Sequence, residues 1–173
     1  MAVEERTGEV TMKGNPLTLL GPRIEANEDA PEFTALKNLV TPISLSETNG
    51  KVRILLSVPS LDTPVCSLET KRFSQEADKL GDEVQVLVIS IDTPFAQSRW
   101  CGAEGVSNVQ AISDFKDRDF GTKYGVEIKG LGIYARAAFV LDKQGVVVYS
   151  EYVPEVAQEP NYEAILDAAK AAV

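Results

Sequence analysis

Two apolar runs of strand length, Val52 to Val58 and Val84 to Ile91, flank a segment with helical periodicity, and a clear antiparallel hairpin lies further along the chain. Together these predict an α/β fold, a layered sandwich on a mixed central sheet, because strand–helix–strand order gives parallel neighbours and a tight hairpin gives antiparallel ones. The size agrees. A chain of 173 residues with 44% apolar content suits one domain, which typically holds about 100 to 200 residues. We expect a single domain over 1–173, with 1–30 as an N-terminal hairpin extension.

The N-terminal arm alternates weakly around Lys13-Gly14-Asn15, with Val10 and Met12 before the turn and Leu17 and Leu19 after it, and reads as a small hairpin. A turn-rich stretch, Asn27 to Pro31, and the Asn49-Gly50 turn precede the first apolar run. Both runs have the continuous Val/Ile/Leu character of central parallel strands buried on two faces. Between them, Pro64 to Leu80 places Cys66, Phe73, Ala77 and Leu80 at offsets 0, 7, 11 and 14. At about 100° per residue these fall on one helical face, and Gly81 ends the helix. A shorter helix is expected from Pro94 to about Cys101, then a strand near Val109 to Ile112 and a mixed segment ending at Tyr124-Gly125. Ala137 to Leu141 and Val146 to Ser150, parted by Asp142-Lys143-Gln144-Gly145, form the clearest hairpin, and a terminal helix starts at Asn161. That order predicts a thioredoxin-like three-layer sandwich with the N-terminal hairpin added.

Composition excludes several functions. The 26 acidic residues outnumber the 17 basic ones for a net charge of −9, spread without a basic block, so the surface repels phosphate backbones and nucleic acid is not an expected partner. The chain has no histidine, which removes Ser-His-Asp and Cys-His triads, imidazole proton shuttles and histidine-containing zinc sites. Two cysteines cannot build a four-thiolate metal centre. Val84 to Ile91 is far short of the roughly 18 apolar residues of a membrane span. The first residues, Met-Ala-Val-Glu-Glu-Arg, lack the basic flank and apolar stretch of a secretory signal. A cytoplasmic protein is expected, where a cysteine pair is more often catalytic than structural.

The chemistry centres on Cys66, in Pro59-Ser60-Leu61-Asp62-Thr63-Pro64-Val65-Cys66, where strand gives way to helix. Thr63 suits the N-cap and Pro64 the first helical position, which puts Cys66 third in the first turn, facing inward. Backbone N–H groups and the positive end of the helix dipole there favour the nucleophilic thiolate. The alternative is a buried cysteine serving as a small hydrophobe. With no histidine to activate the thiol, a cation is the remaining device. Arg136 is the candidate, because it immediately precedes the strand Ala137 to Leu141. If that strand runs antiparallel to Val52 to Val58, its start lies beside Cys66, where an arginine fork can hold a thiolate and an incoming oxygen together. The alternative is a surface arginine paired with one of many acids.

Cys101 follows the second parallel strand at the same sheet edge, about 10 Å along the short helix at 1.5 Å per residue. A disulfide needs Cα atoms within about 7 Å, so a bridge to Cys66 requires local unwinding. Such a bridge would constrain the unfolded chain by roughly 4 kcal/mol before strain; otherwise Cys101 is an inert buried thiol beside Trp100. Cys66 and Arg72 also match the C-x5-R spacing of cysteine phosphatases. The intervening Ser-Leu-Glu-Thr-Lys has no glycine to free a phosphate loop, and Glu69 would repel the anion, so the match is chance. Gly130-Leu131-Gly132 is too short for a nucleotide fingerprint.

These residues resemble the peroxiredoxins, specifically the atypical two-cysteine thiol peroxidase subfamily. The resemblance runs through Ala30-Pro31-Glu32-Phe33, Pro59-x3-Thr63-x2-Cys66, the block Pro94 to Gly105 around Cys101, and Ala135-Arg136-Ala137. It implies a peroxidatic Cys66, a resolving Cys101 in the same chain joined to it by a redox disulfide, Thr63 as partner of thiolate and peroxide, Arg136 as activating cation and Pro59 as shield of the pocket. It further implies reduction of hydrogen peroxide and organic hydroperoxides in antioxidant defence, thioredoxin as reductant, a homodimer, and no metal, haem or flavin cofactor. There is no Cys-x-x-Cys and no proline directly before Ala137, so the dithiol-disulfide oxidoreductase pattern is missing. The competing expectation is a non-enzymatic redox sensor or disulfide-switched binding module.

Overall fold

The computed structural model describes residues 2–173. In chain order the elements are β1 (Glu5–Met12), β2 (Asn15–Leu20), β3 (Thr34–Asn38), β4 (Thr41–Ser44), a 3-10 turn (Leu45–Thr48) and β5 (Val52–Ser57). There follow α1 (Pro64–Leu80), β6 (Val84–Ser90), α2 (Pro94–Glu104), β7 (Gln110–Ser113), α3 (Asp119–Lys123) and β8 (Glu127–Ile128). The chain closes with β9 (Ala137–Leu141), β10 (Val147–Tyr152) and α4 (Tyr162–Ala172).

The main sheet has seven strands in the order β10-β9-β5-β6-β7-β3-β4. β5, β6 and β7 are parallel, and β9 runs antiparallel to β5 with Ser57 opposite Ala137. Both crossovers between the parallel strands step in one direction, and right-handed connections then put α1 and α2 on one face. Side chains alternate across β5: Val52, Ile54 and Leu56 pack with Phe73 of α1, Trp100 of α2 and Ile165 of α4. Leu55 points the other way, into a core shared with Phe139, Phe120 of α3, and Val10 and Leu19 of the hairpin. The third layer is therefore the small β1-β2-β8 sheet with the short α3. All six residues of β5 are buried, as expected for a strand covered on both sides.

The structure extends and shifts some boundaries. α2 continues three residues beyond Cys101 and ends on Gly105, whose φ of 66° supplies the left-handed cap. Cys101 thus lies inside the helix. The expected Val109 strand is β7, one residue later. The pair β3-β4 was not expected: the strands are short, sit at one sheet edge and are broken by the Asn38 to Thr41 turn, so they carry little periodic signal. Among the described residues no helix is long and apolar enough to cross a membrane.

The hairpin-side core is aromatic. Phe120 stacks on Tyr124 at 4.5 Å, and Phe139 meets Phe120, Tyr124 and Tyr152 edge-on at 6.5, 5.2 and 5.5 Å. Phe139→Ala removes the ring common to three of these pairs and is expected to cost about 3–5 kcal/mol in urea unfolding. A loss under about 1 kcal/mol would show that neighbouring rings collapse to fill the space.

Candidate active site

The site forms where β5 ends. Val58 N–H still donates to Ile89 O at 3.1 Å, and the chain then leaves the sheet through the buried Pro59 into a turn closed by Thr63 N–H on Ser60 O, also 3.1 Å. Asp92, just past β6, holds this turn: Oδ1 accepts from Ser60 Oγ at 2.6 Å, and Oδ2 accepts from Leu61 N–H at 2.8 Å and Ser90 Oγ at 2.7 Å. Two parallel strand ends are thereby tied together directly beneath the start of α1.

Thr63 has the extended backbone of an N-cap (φ −91°, ψ 148°) and Pro64 is the first helical residue, so Cys66 is third in the first turn. The side chain departs from the expectation: the Thr63 hydroxyl donates back to Ser60 O at 2.9 Å and makes no cap to a helix N–H. Its O–H is committed to the turn, which leaves the oxygen as an acceptor. Cys66 is fully buried, among Leu61, Phe73 and Trp100.

The Ser57–Ala137 pairing brings Arg136, one residue before β9, against α1. Its guanidinium is 2% exposed and all five N–H donors are engaged. Nη1 and Nη2 each lie 3.4 Å from Cys66 Sγ. Nη1 also donates to Glu69 Oε2 at 2.5 Å, while Nε and Nη2 donate to Val156 O at 3.2 and 3.0 Å. Burial opposes the guanidinium charge, but the neighbouring Glu69 and Cys66 outweigh it and its value is raised. Two fixed donors aimed at one sulfur stabilise a thiolate, and can equally meet charge that develops on an adjoining oxygen.

Glu69 is the residue that sequence reasoning missed in this role. In the sequence it reads only as an obstacle to a phosphate loop, yet it is fully buried, with Oε1 lacking any partner. Burial pushes its carboxyl up to about 7, against the opposing pull of Arg136. The available signal was its spacing: an acid three residues after an inward-facing cysteine shares that helical face and needs a buried cation.

Cys101 is half-buried and both thiols are free. No bridge joins them. A cleft of about 300 Å³ between α1 and α2 is lined by Leu61, Thr63, Pro64 and Trp100, with the Arg99–Asp62 ion pair (2.7 Å) at its rim. Cys101 lines a recess with Gln97, Val109 and Ala111. Burial pushes the Cys101 thiol up.

A model of the Redoxin family matches residues 25–166. The thiol peroxidase of Bacillus subtilis is 51% identical over 165 residues, spanning 95% of this chain and 98% of that protein. The thiol peroxidase of Clostridium acetobutylicum is 48% identical over 164 residues, 95% and 99% of the two chains. Among solved structures, a peroxiredoxin-like protein from Aquifex aeolicus superposes over the full length of both chains with TM-score 0.89 and 40% identity. A thiol peroxidase from Chromobacterium violaceum shares the fold at TM-score 0.83 and 21% identity, covering 94% and 95%. The fold is thus thioredoxin-like, with the hairpin sheet added to it.

The buried acid gives a pH test. A carboxyl raised from 4.5 to about 7 by folding contributes stability that is complete below pH 4.5 and is lost as pH rises through 7. Glu69→Gln has no such slope. Between pH 5 and pH 8, urea unfolding is expected to move in favour of the variant by at least about 1 kcal/mol; parallel pH profiles would overturn the assignment.

Proposed function

Because the chain belongs to the redoxin family and is a thiol peroxidase, we propose that Cys66 is its peroxidatic cysteine and Cys101 its resolving cysteine. The observation that carries this reading is the Arg136 fork on a fully buried Cys66 thiol. The Cys66 thiolate attacks the terminal oxygen of a hydroperoxide, the O–O bond breaks, and the leaving oxygen departs as water or alcohol once protonated. The sulfur, oxidised by two electrons, becomes a sulfenic acid. Thr63, whose own O–H is engaged with Ser60, accepts from the hydroperoxide O–H, and Arg136 meets the charge that grows on the leaving oxygen. Pro59, buried at the strand exit, shields the pocket from bulk water.

Resolution needs a change of shape. Cys101 sits inside intact α2, lining a recess with Gln97, Val109 and Ala111, and burial pushes its thiol up. Local unwinding of α2 delivers it to water and to Cys66. Its thiolate displaces the sulfenic oxygen as water, leaving an intramolecular Cys66–Cys101 disulfide. A dithiol, with thioredoxin as the reductant, restores both thiols by exchange. We place this activity in one domain, 1–173 with the 1–30 hairpin, working in the cytoplasm as a homodimer.

Stopped-flow Trp100 fluorescence of the reduced protein mixed with hydrogen peroxide or cumene hydroperoxide, with mass analysis of the product, tests the cycle. Rapid stoichiometric oxidation ending in a Cys66–Cys101 bridge is expected; slow oxidation, or no such bridge, overturns the assignment. Cys66→Ser is expected to lower turnover by at least about 1,000-fold, and near-normal turnover would remove Cys66 from the mechanism. Cys101→Ser is expected to consume one peroxide per chain and then stop thioredoxin-linked cycling. Undiminished cycling would deny it the resolving role.

A further inference from the structure

Arg136 is held from behind by a main-chain carbonyl, Val156 O, which takes two of its five N–H donors. Val156 belongs to the irregular connection between β10 and α4, a kind of segment that is ordinarily mobile. Here the N-terminal hairpin clasps it. Thr11 N–H donates to Pro154 O at 2.7 Å and Val156 N–H donates to Thr11 O at 2.9 Å, an isolated parallel bridge centred on Glu155. The Glu155 carboxylate closes the clasp. Oε1 accepts from Gly14 N–H at 3.0 Å, Oε2 accepts from Ala157 N–H at 3.0 Å, and the single Thr11 O–H lies between two acceptors, Pro154 O at 3.2 Å and Glu155 Oε1 at 3.3 Å.

The hairpin is shaped for this contact. Its register slips between Thr7 and Thr11, where Gly8 takes φ 89° and the strand bulges. Beyond the bulge Thr11 pairs with Pro16, which has no N–H to offer, while Thr11's own N–H and C=O turn outward to residues 154–156. Val10 and Val156 lie in the same core cluster, so burial supports the same approach.

We propose that the N-terminal hairpin is a brace for the active-site arginine, with Thr11 and Glu155 as positioning residues that act through the Val156 carbonyl. The inference rests on the role given to Arg136 above. Loosening the connection frees two guanidinium donors and lets the fork swing toward Glu69, away from the sulfur and the oxygen it must meet. Misplacement of such a donor lowers the rate of the chemical step without touching the reacting atoms.

The test is the second-order rate of Cys66 oxidation by hydrogen peroxide in wild type, Glu155→Ala, Arg136→Ala and the double variant. Glu155→Ala is expected to slow oxidation about 5- to 20-fold. Glu155→Gln, which keeps one acceptor oxygen, recovers part of that loss, and Thr11→Val, which removes only the hydroxyl, gives a smaller one. In the Arg136→Ala background the Glu155 effect is expected to vanish, a coupling that general destabilisation would not produce. An unchanged rate in Arg136→Ala overturns the Arg136 reading and this inference with it. A slow Arg136→Ala beside wild-type rates in Glu155→Ala and Thr11→Val overturns the brace alone, as does a Glu155→Ala loss that persists undiminished without Arg136.

Discussion

The structure turns on one buried cation. Placing a guanidinium where almost no water reaches it is unfavourable unless each donor finds an acceptor. Arg136 satisfies all five, on a thiol, a carboxylate and a backbone carbonyl. The acceptors come from two distant parts of the chain: Cys66 and Glu69 from α1, Val156 from the connection after β10. The position of the fork is therefore set by the packing of helix, sheet and hairpin together. That is how a thiol can be activated in a chain without histidine.

The parallel centre of the sheet supplies the other half of the arrangement. β5 and β6 end side by side, and Asp92 at the end of β6 fixes the turn that leads from β5 into α1. The same stretch of chain then starts α2, whose N-cap Thr93 follows Asp92 directly. The turn before Cys66 and the base of the helix bearing Cys101 are thus joined through one carboxylate. The seat of the first thiol and the start of the helix that carries the second lie within a few residues of Asp92.

Much of this was legible in the residues. Pro64 and Gly81 marked the bounds of α1, the apolar runs gave the central strands, and the place of Arg136 beside Cys66 followed from supposing β9 antiparallel to β5. What was not legible depended on contacts between distant segments. Glu69 reads as one more acid on a charged helix until the sheet brings Arg136 beneath it. Thr63 reads as an N-cap until its hydroxyl is seen turned toward Ser60. The hairpin was visible as a hairpin, but nothing in Thr11 or Glu155 alone announces that they clasp one another across the whole length of the chain. The extra turn of α2 was missed because Gly105, not Cys101, supplies the left-handed residue that stops it.

The place of Cys101 inside an intact helix has a kinetic meaning. On the proposed cycle, the oxidised Cys66 waits for a segment of its own chain to open, so the lifetime of the sulfenic acid is set by a unimolecular melting step. Such a step takes its tempo from the local stability of one helix and is indifferent to how many copies of the protein surround it. α2 is then an internal clock, wound by the burial of Trp100 and by the Arg99–Asp62 pair that ties it to the turn before α1. Its period decides how long the reactive sulfur stays open to a second oxidant.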